Sequence, residues 1–310
     1  MALNLASVEV FGEGVWRSEG VVVGTDGFVY GGGRNGVMYR VDPDGKVEEI
    51  ATLAAGSKPN GLAMDRNGDI IICDVGISAV SRLTQAGKLS LIADRVEDVV
   101  LKTPNFATFD ADGNLYVSNT LDRSLKELSA EPPDMYDPVA KGALVRIRPN
   151  GRADVVAREI HWANGTAIDP KEEAIYVLQT NKFNCLRIPI RKDGGHGKPE
   201  IYAEDFPACP DGMAFAADGT LFVTLPGTIK KPGDIETDSL LTTANKIIKI
   251  DTSGAWELLL HDPESAVFHN PTNCAFGGGD MHDLYFTNLL GTHFCKIHTE
   301  LAGHPLYHQR

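Results

Sequence analysis

The chain has 310 residues, 43% hydrophobic and 23% charged, which is ample for a large core and excludes wholesale disorder. Lys and Arg number 29 against 42 Asp and Glu, a net charge of −13 with no basic run to follow a phosphate backbone, which excludes nucleic-acid binding. The longest apolar stretches, such as Ile70–Cys73, fall far short of the ~20 residues of a membrane span, and no basic segment precedes an apolar one at the start, so a soluble, cytoplasmic protein is expected.

The first predicted element is a strand at Ser7–Phe11. From Glu19 a unit begins that recurs through the chain: Ser18-Glu19-Gly-Val-Val-Val, Pro59-Asn60-Gly-Leu-Ala-Met-Asp, Pro104-Asn105-Phe-Ala-Thr-Phe-Asp, Ala163-Asn164-Gly-Thr-Ala-Ile-Asp, Pro210-Asp211-Gly-Met-Ala-Phe and Pro271-Thr-Asn273-Cys-Ala-Phe. The unit starts are spaced 41, 45, 59, 47 and 62 residues apart, with 37 residues after the last. Within a unit an apolar strand meets a two-residue turn, as at Asp26-Gly27, Asn67-Gly68, Asp112-Gly113 and Asp218-Gly219, and a strand rich in Ile, Val, Tyr and Phe returns. A second hairpin follows, closed by Asp44-Gly45, Ala86-Gly87, Asn150-Gly151, Asp193-Gly194 or Ser253-Gly254. Such dipeptides accept the positive φ of a tight hairpin and argue against helix.

Four strands per unit at this period predict an all-β fold, a six-bladed β-propeller forming one domain over residues 1–310. Ser7–Phe11 is expected to complete the last blade and join the chain ends, which removes an open edge. Five cysteines, Cys73, Cys185, Cys209, Cys274 and Cys295, are an odd number without a C-x-x-C pair, and most sit in apolar runs as small buried hydrophobes.

The first strand of a propeller blade lines the channel, so Glu19, Asn60, Asn105, Asn164, Asp211 and Asn273 are expected to converge on one axis. Every member carries a side-chain oxygen, and none is His or Cys, a set suited to a hard cation such as Ca²⁺. The alternative is that each Asn or Asp bonds its own backbone at the strand start. Two insertions, Leu121–Gly142 with Glu131-Pro-Pro-Asp-Met-Tyr136 and Pro226–Asn245, fall between second and third strands and are expected to overhang the same end.

Trp16-Arg-Ser-Glu19-Gly, Pro59-Asn-Gly-Leu-Ala, Trp162-Ala-Asn164-Gly and Pro210-Asp211-Gly-Met resemble the motifs of the senescence marker protein/gluconolactonase/luciferin-regenerating family over essentially the whole chain. The resemblance implies a channel metal, usually Ca²⁺, and lactone hydrolysis, while an oxygen site of adjustable size also admits Mg²⁺, Mn²⁺ or Zn²⁺. It makes Glu19, Asn164 and Asp211 metal ligands and Asn105 a ligand or substrate contact, with Asn60 and Asn273 acting through water. Asp211 is the implied base or nucleophile and Glu19 the alternative base. Sugar-lactone members carry Arg and Asp where this chain has Thr103 and Phe106. With Trp162, Met213, Leu121 and Tyr136 also assigned to the substrate pocket, a hydrophobic or aromatic small-molecule lactone or ester is expected. His161 and His269 stand close before Asn164 and Asn273, as proton shuttles or as structural loop residues. Competing readings are a non-catalytic propeller of the NHL type, a phosphotriesterase-like hydrolase, and a metal-free strictosidine-synthase-like enzyme relying on a Glu.

Overall fold

The computed structural model describes residues 3–130, 141–228 and 242–310. Tyr136 and the Glu131–Tyr136 stretch of the first insertion lie outside the described residues. Six four-stranded antiparallel sheets follow one another along the chain, the first five ordered from inside outward as in sequence and the sixth with a strand from the start of the chain on its outside. Their inner strands are Val21–Val23, Pro59–Met64, Pro104–Phe109, Ala163–Ile168, Met213–Phe215 and Cys274–Gly277. Each packs against the next, and the sixth against the first, so the six blades close into a ring.

The outer strand of blade six is Glu9–Phe11, which pairs with Phe294–His298 through Glu9 and Lys296, Val10 and Cys295, Phe11 and Phe294. The ends of the chain are thus joined by backbone hydrogen bonds, as the sequence implied.

A blade has two apolar faces, and each packs on a different neighbour. Ile70 and Ile72 belong to the cluster shared with blade one, while Ile71 and Cys73 belong to the cluster shared with blade three. Strict alternation sends successive side chains to opposite faces, so a strand buried on both reads as a continuous apolar run. Six such clusters fill the six junctions between blades. All five cysteines are buried and none forms a disulfide, four of them within these clusters and Cys209 against Trp162 and Phe183.

The hairpin turns are one residue longer than expected. In each, an N–H of the fourth residue donates to the carbonyl of the first, and a glycine at positive φ, such as Gly68 at 78° or Gly254 at 87°, closes a three-residue loop. This type I turn with a left-handed glycine matches the strand twist as well as the two-residue form does. Where the turn opens with aspartate, its carboxylate accepts loop N–H groups; Asp65 Oδ1 accepts from Asn67 and Asp69 at 2.8 and 3.1 Å.

Three features were not expected: a short hairpin of Arg95–Val96 and Val99–Val100, a helix at Leu125–Ala130 inside the first insertion, and the last ten residues. These cross the end of the channel where the inner strands finish and touch every blade. His308 and Gln309 bond the Val23 carbonyl at 2.8 and 3.0 Å, Arg66 lies 4.3 Å over the Tyr307 ring, and Phe109 stacks on that ring at 5.0 Å. Glu172 pairs with Arg310, the Phe215 carbonyl accepts from His304 at 2.9 Å, and the Met281 carbonyl accepts from Gly303 at 2.7 Å.

Candidate active site

In blades two, three and four, strand register slips between Pro59 and Leu62, Pro104 and Ala107, and Ala163 and Thr166. Each slip brackets a ring residue: Asn60, Asn105 and Asn164. A bulge turns its extra residue out of the pleat, here into the channel. The glycine after a ring residue permits close approach of the next blade. A Cβ on Gly20 would lie 2.1 Å from the Asn60 carbonyl oxygen, and one on Gly165 would lie 2.4 Å from that of Asp211. The repeated Asn-Gly and Asp-Gly of these motifs is therefore a packing requirement of the ring and not a turn signal.

Glu19, Asn164 and Asp211 come together. Asp211 is buried, and its carboxyl is held well above the ordinary value, first by burial and then by the charge of Glu19, against a hydrogen bond from Asn164. Glu19 keeps some exposed surface but sits deep enough that burial raises its pKa despite the opposing charges of Arg17 and Lys58. Thr180 fixes the Asn164 amide. Its hydroxyl donates to the Pro210 carbonyl at 3.0 Å, so it must accept from Asn164 Nδ2 at 2.9 Å. Asn164 Oδ1 is left buried without a partner, beside two carboxylates. Two like charges and an unpaired acceptor in one desolvated place fit a cation. Among the described residues no group of three or more His, Cys, Asp and Glu is arranged to hold a metal. A cation here would rest on two carboxylates and amide oxygens, a donor set for a hard ion.

The other ring residues are differently engaged. Asn105 Nδ2 donates to Thr120 at 2.7 Å and Asn105 Oδ1 accepts from Asn60 Nδ2 at 2.5 Å, so these two amides form a pair across blades two and three. Asn273 Oδ1 accepts from the Cys274 N–H at 2.8 Å, which is the backbone-bonded alternative for that member. Phe106, Met213 and Asn273 line a cavity of about 70 Å³ that continues down the channel to His304 and Leu306 of the terminal segment. Trp162 is half-buried and packs on Cys209. Leu121 is buried, with its carbonyl accepting from Thr103 and Asn119.

Polar residues at the second-strand ends clamp the loops leading into the inner strands. Asp74 accepts from the Lys58 N–H at 2.8 Å, Asn119 from Thr103 at 3.0 Å, Gln179 from His161 at 2.8 Å and Asn288 from His269 at 2.7 Å. The His269 ring bonds Thr243 at 2.9 Å, at the foot of the second insertion. Thr120 and Thr180, each one residue beyond a second strand, escaped the sequence reading. The signal was there, since both follow the strand end by one residue in adjacent blades.

A six-bladed ring with acidic and amide oxygens gathered at one end of its channel defines a class of propeller proteins. Residues 57–289, about three quarters of the chain, match the model of the SMP-30/Gluconolactonase/LRE-like region, and the chain belongs to that family. It is similar to the strictosidine synthase-like 7 protein of Arabidopsis thaliana, 24% identical over 65% of this chain and 54% of that one. It is also similar to the gluconolactonase of Zymomonas mobilis, 25% identical over 63% of this chain and 57% of that one. The chain thus spans a little over half the length of these curated relatives. Among solved structures, a gluconolactonase from Xanthomonas campestris superposes with a TM-score of 0.73 at 20% identity, covering 96% of this chain and 89% of that one. A calcium-binding regucalcin from Agrobacterium tumefaciens gives a TM-score of 0.69 at 17% identity, covering 94% of each. No helix among the described residues is long and apolar enough to cross a membrane.

Proposed function

We propose that the protein is a metal-dependent hydrolase that opens a lactone or ester. The observation that carries this reading is the meeting of Glu19 and Asp211 in a desolvated site with the buried, partnerless Oδ1 of Asn164. Family membership and the gluconolactonase relatives support lactone hydrolysis. Glu19, Asn164 and Asp211 would hold the ion, which we assign as Ca²⁺, with Mg²⁺, Mn²⁺ or Zn²⁺ able to occupy the same oxygens. When bound, it supplies Lewis-acid polarisation of the substrate carbonyl.

The chain's own residues do the rest. Asp211 receives the proton of the attacking water, or attacks directly; its buried carboxylate is strongly basic, and the Asn164 hydrogen bond holds it in place. Glu19 is the second candidate base. The Asn60–Asn105 pair, held by Thr120, presents amide groups to the ring oxygens of the substrate. The half-buried Trp162 offers an apolar wall, which suits a hydrophobic or aromatic substrate better than a sugar lactone.

The test is a lactone and ester panel on metal-stripped protein with single metals restored. Turnover that disappears on stripping and returns with Ca²⁺ supports the reading. Metal-dependent heat stability without turnover would leave a binding propeller. The strictosidine-synthase-like relatives favour a second reading, a metal-free joining of an amine and an aldehyde with Glu19 as base. Turnover of such a pair in EDTA would establish it in place of hydrolysis.

A further inference from the structure

The residue two before each ring member ends the loop that leads into an inner strand, giving a second set around the channel mouth: Arg17, Lys58, Thr103, Trp162, Cys209 and Pro271. This set is polarised. Blades one and two contribute cations, blade three a hydroxyl, and blades four to six an apolar arc in which Trp162 packs on Cys209.

Both cations are placed by their backbone. Arg17 is half-buried in a left-handed conformation at φ 57°, between Trp16, whose carbonyl accepts from the Arg34 N–H at 2.9 Å, and Ser18, whose hydroxyl bonds the Gly20 carbonyl at 3.0 Å. Lys58 is tethered through its N–H to the buried Asp74. Each lies near enough to Glu19 for its charge to oppose the effect of burial there. Among the described residues neither takes part in an ion pair.

Charge balance then points to a role. Glu19 and Asp211 offset one divalent cation and Asp74 is turned to the N–H groups of Lys58, Gly76 and Ile77, so that with Arg17 and Lys58 a net positive charge remains at the mouth of a protein of net charge −13. An overall negative field disfavours anions unless a local positive pair receives them. We propose that Arg17 and Lys58 bind a carboxylate carried by the substrate while its apolar body rests on Trp162, so that the preferred substrates are acidic aromatic lactones or esters. This inference rests on the hydrolase reading above for the word substrate, but the anion site it describes can be measured without turnover.

Two arms test it. Kinetics would compare dihydrocoumarin-6-carboxylate with its neutral carboxamide. A preference of about tenfold in kcat/KM for the acid is expected, the product of two partly exposed ion pairs worth about threefold each. That ratio should fall towards one in R17Q/K58Q and persist in R17K/K58R, which keeps both charges. Calorimetry would compare benzoate with benzamide on the same proteins, with the same loss of the benzoate preference in the neutral variant. Should the double variant not fold, R17Q and K58Q singly are each expected to lose about threefold. Equal handling of acid and amide by the unaltered protein, or an unchanged preference in R17Q/K58Q, overturns the proposal. If no lactone or ester is hydrolysed but benzoate binding depends on the two cations, the hydrolase reading falls and the anion site stands.

Discussion

At the scale of single residues, the site turns on the orientation of one amide. Thr180 both donates to Pro210 and accepts from Asn164, and the second bond fixes the amide with its oxygen buried and unpartnered. Thr180→Val removes that constraint, so Ca²⁺ affinity should fall by about tenfold while the fold persists, as isothermal titration would show. Asp211→Asn is expected to lower kcat/KM by about 10³-fold, the usual scale for loss of a general base. The same substitution should stabilise the metal-free protein, because it removes one of two like charges from a buried place. The sign with pH follows from the raised pKa values of Asp211 and Glu19. The folded state binds these protons more tightly than the unfolded state, so the stability they contribute is present below about pH 4 and lost as pH rises through the raised values. In melts with EDTA, the gap between Asp211→Asn and the parent chain should widen on going from pH 4 to pH 8.

At the scale of strands and turns, most of the architecture was legible. Nine glycine-closed turns flagged by their dipeptides all have the glycine at positive φ, because the chemistry of a tight turn is local and depends on a few adjacent residues. The ring of oxygen-bearing residues was legible for the same reason, since six repeats display one position six times. How that ring divides was not. Asn60, Asn105 and Asn273 look alike in sequence, yet one pair bonds across two blades while Asn273 turns back to its own strand. Contacts between residues 45 positions apart leave no trace in a local pattern. The polar residues ending the second strands, Asp74, Asn119, Gln179 and Asn288, likewise show no sign in the local pattern of the neighbouring loops they clamp. The closing strand gives a test at this scale. Phe11 is buried between Phe294 and Tyr285, 5.2 Å from the Tyr285 ring, and Phe11→Ala should cost about 3–5 kcal/mol in urea unfolding.

At the scale of the whole molecule, the terminal segment acts as a brace across all six blades and as the floor of the channel. Nothing in its composition announced this, since its contacts are with residues scattered through the entire chain. His308 is held with a lowered pKa, mainly by burial, while its Nε2 bonds the Val23 carbonyl. A histidine with a lowered folded-state pKa withdraws its support as pH falls from its ordinary value near 6.5 through the lowered one. Amide exchange in residues 301–310 should therefore quicken on acidification from pH 7 to pH 5, after correction for intrinsic rates. His308→Gln should weaken that dependence, the remainder coming from His304, whose pKa burial and the Arg310 charge also lower.

The strand Glu9–Phe11 is synthesised ahead of blade one, yet its partner Phe294–His298 belongs to blade six. Until blade six is made the propeller therefore carries an unpaired edge and an open ring, and blades one to five must hold together without closure. Its length of three residues limits the hazard, because so short an edge gives a stray strand little to pair with. Closure of the ring must wait for blade six, which makes it a late, long-range event in folding.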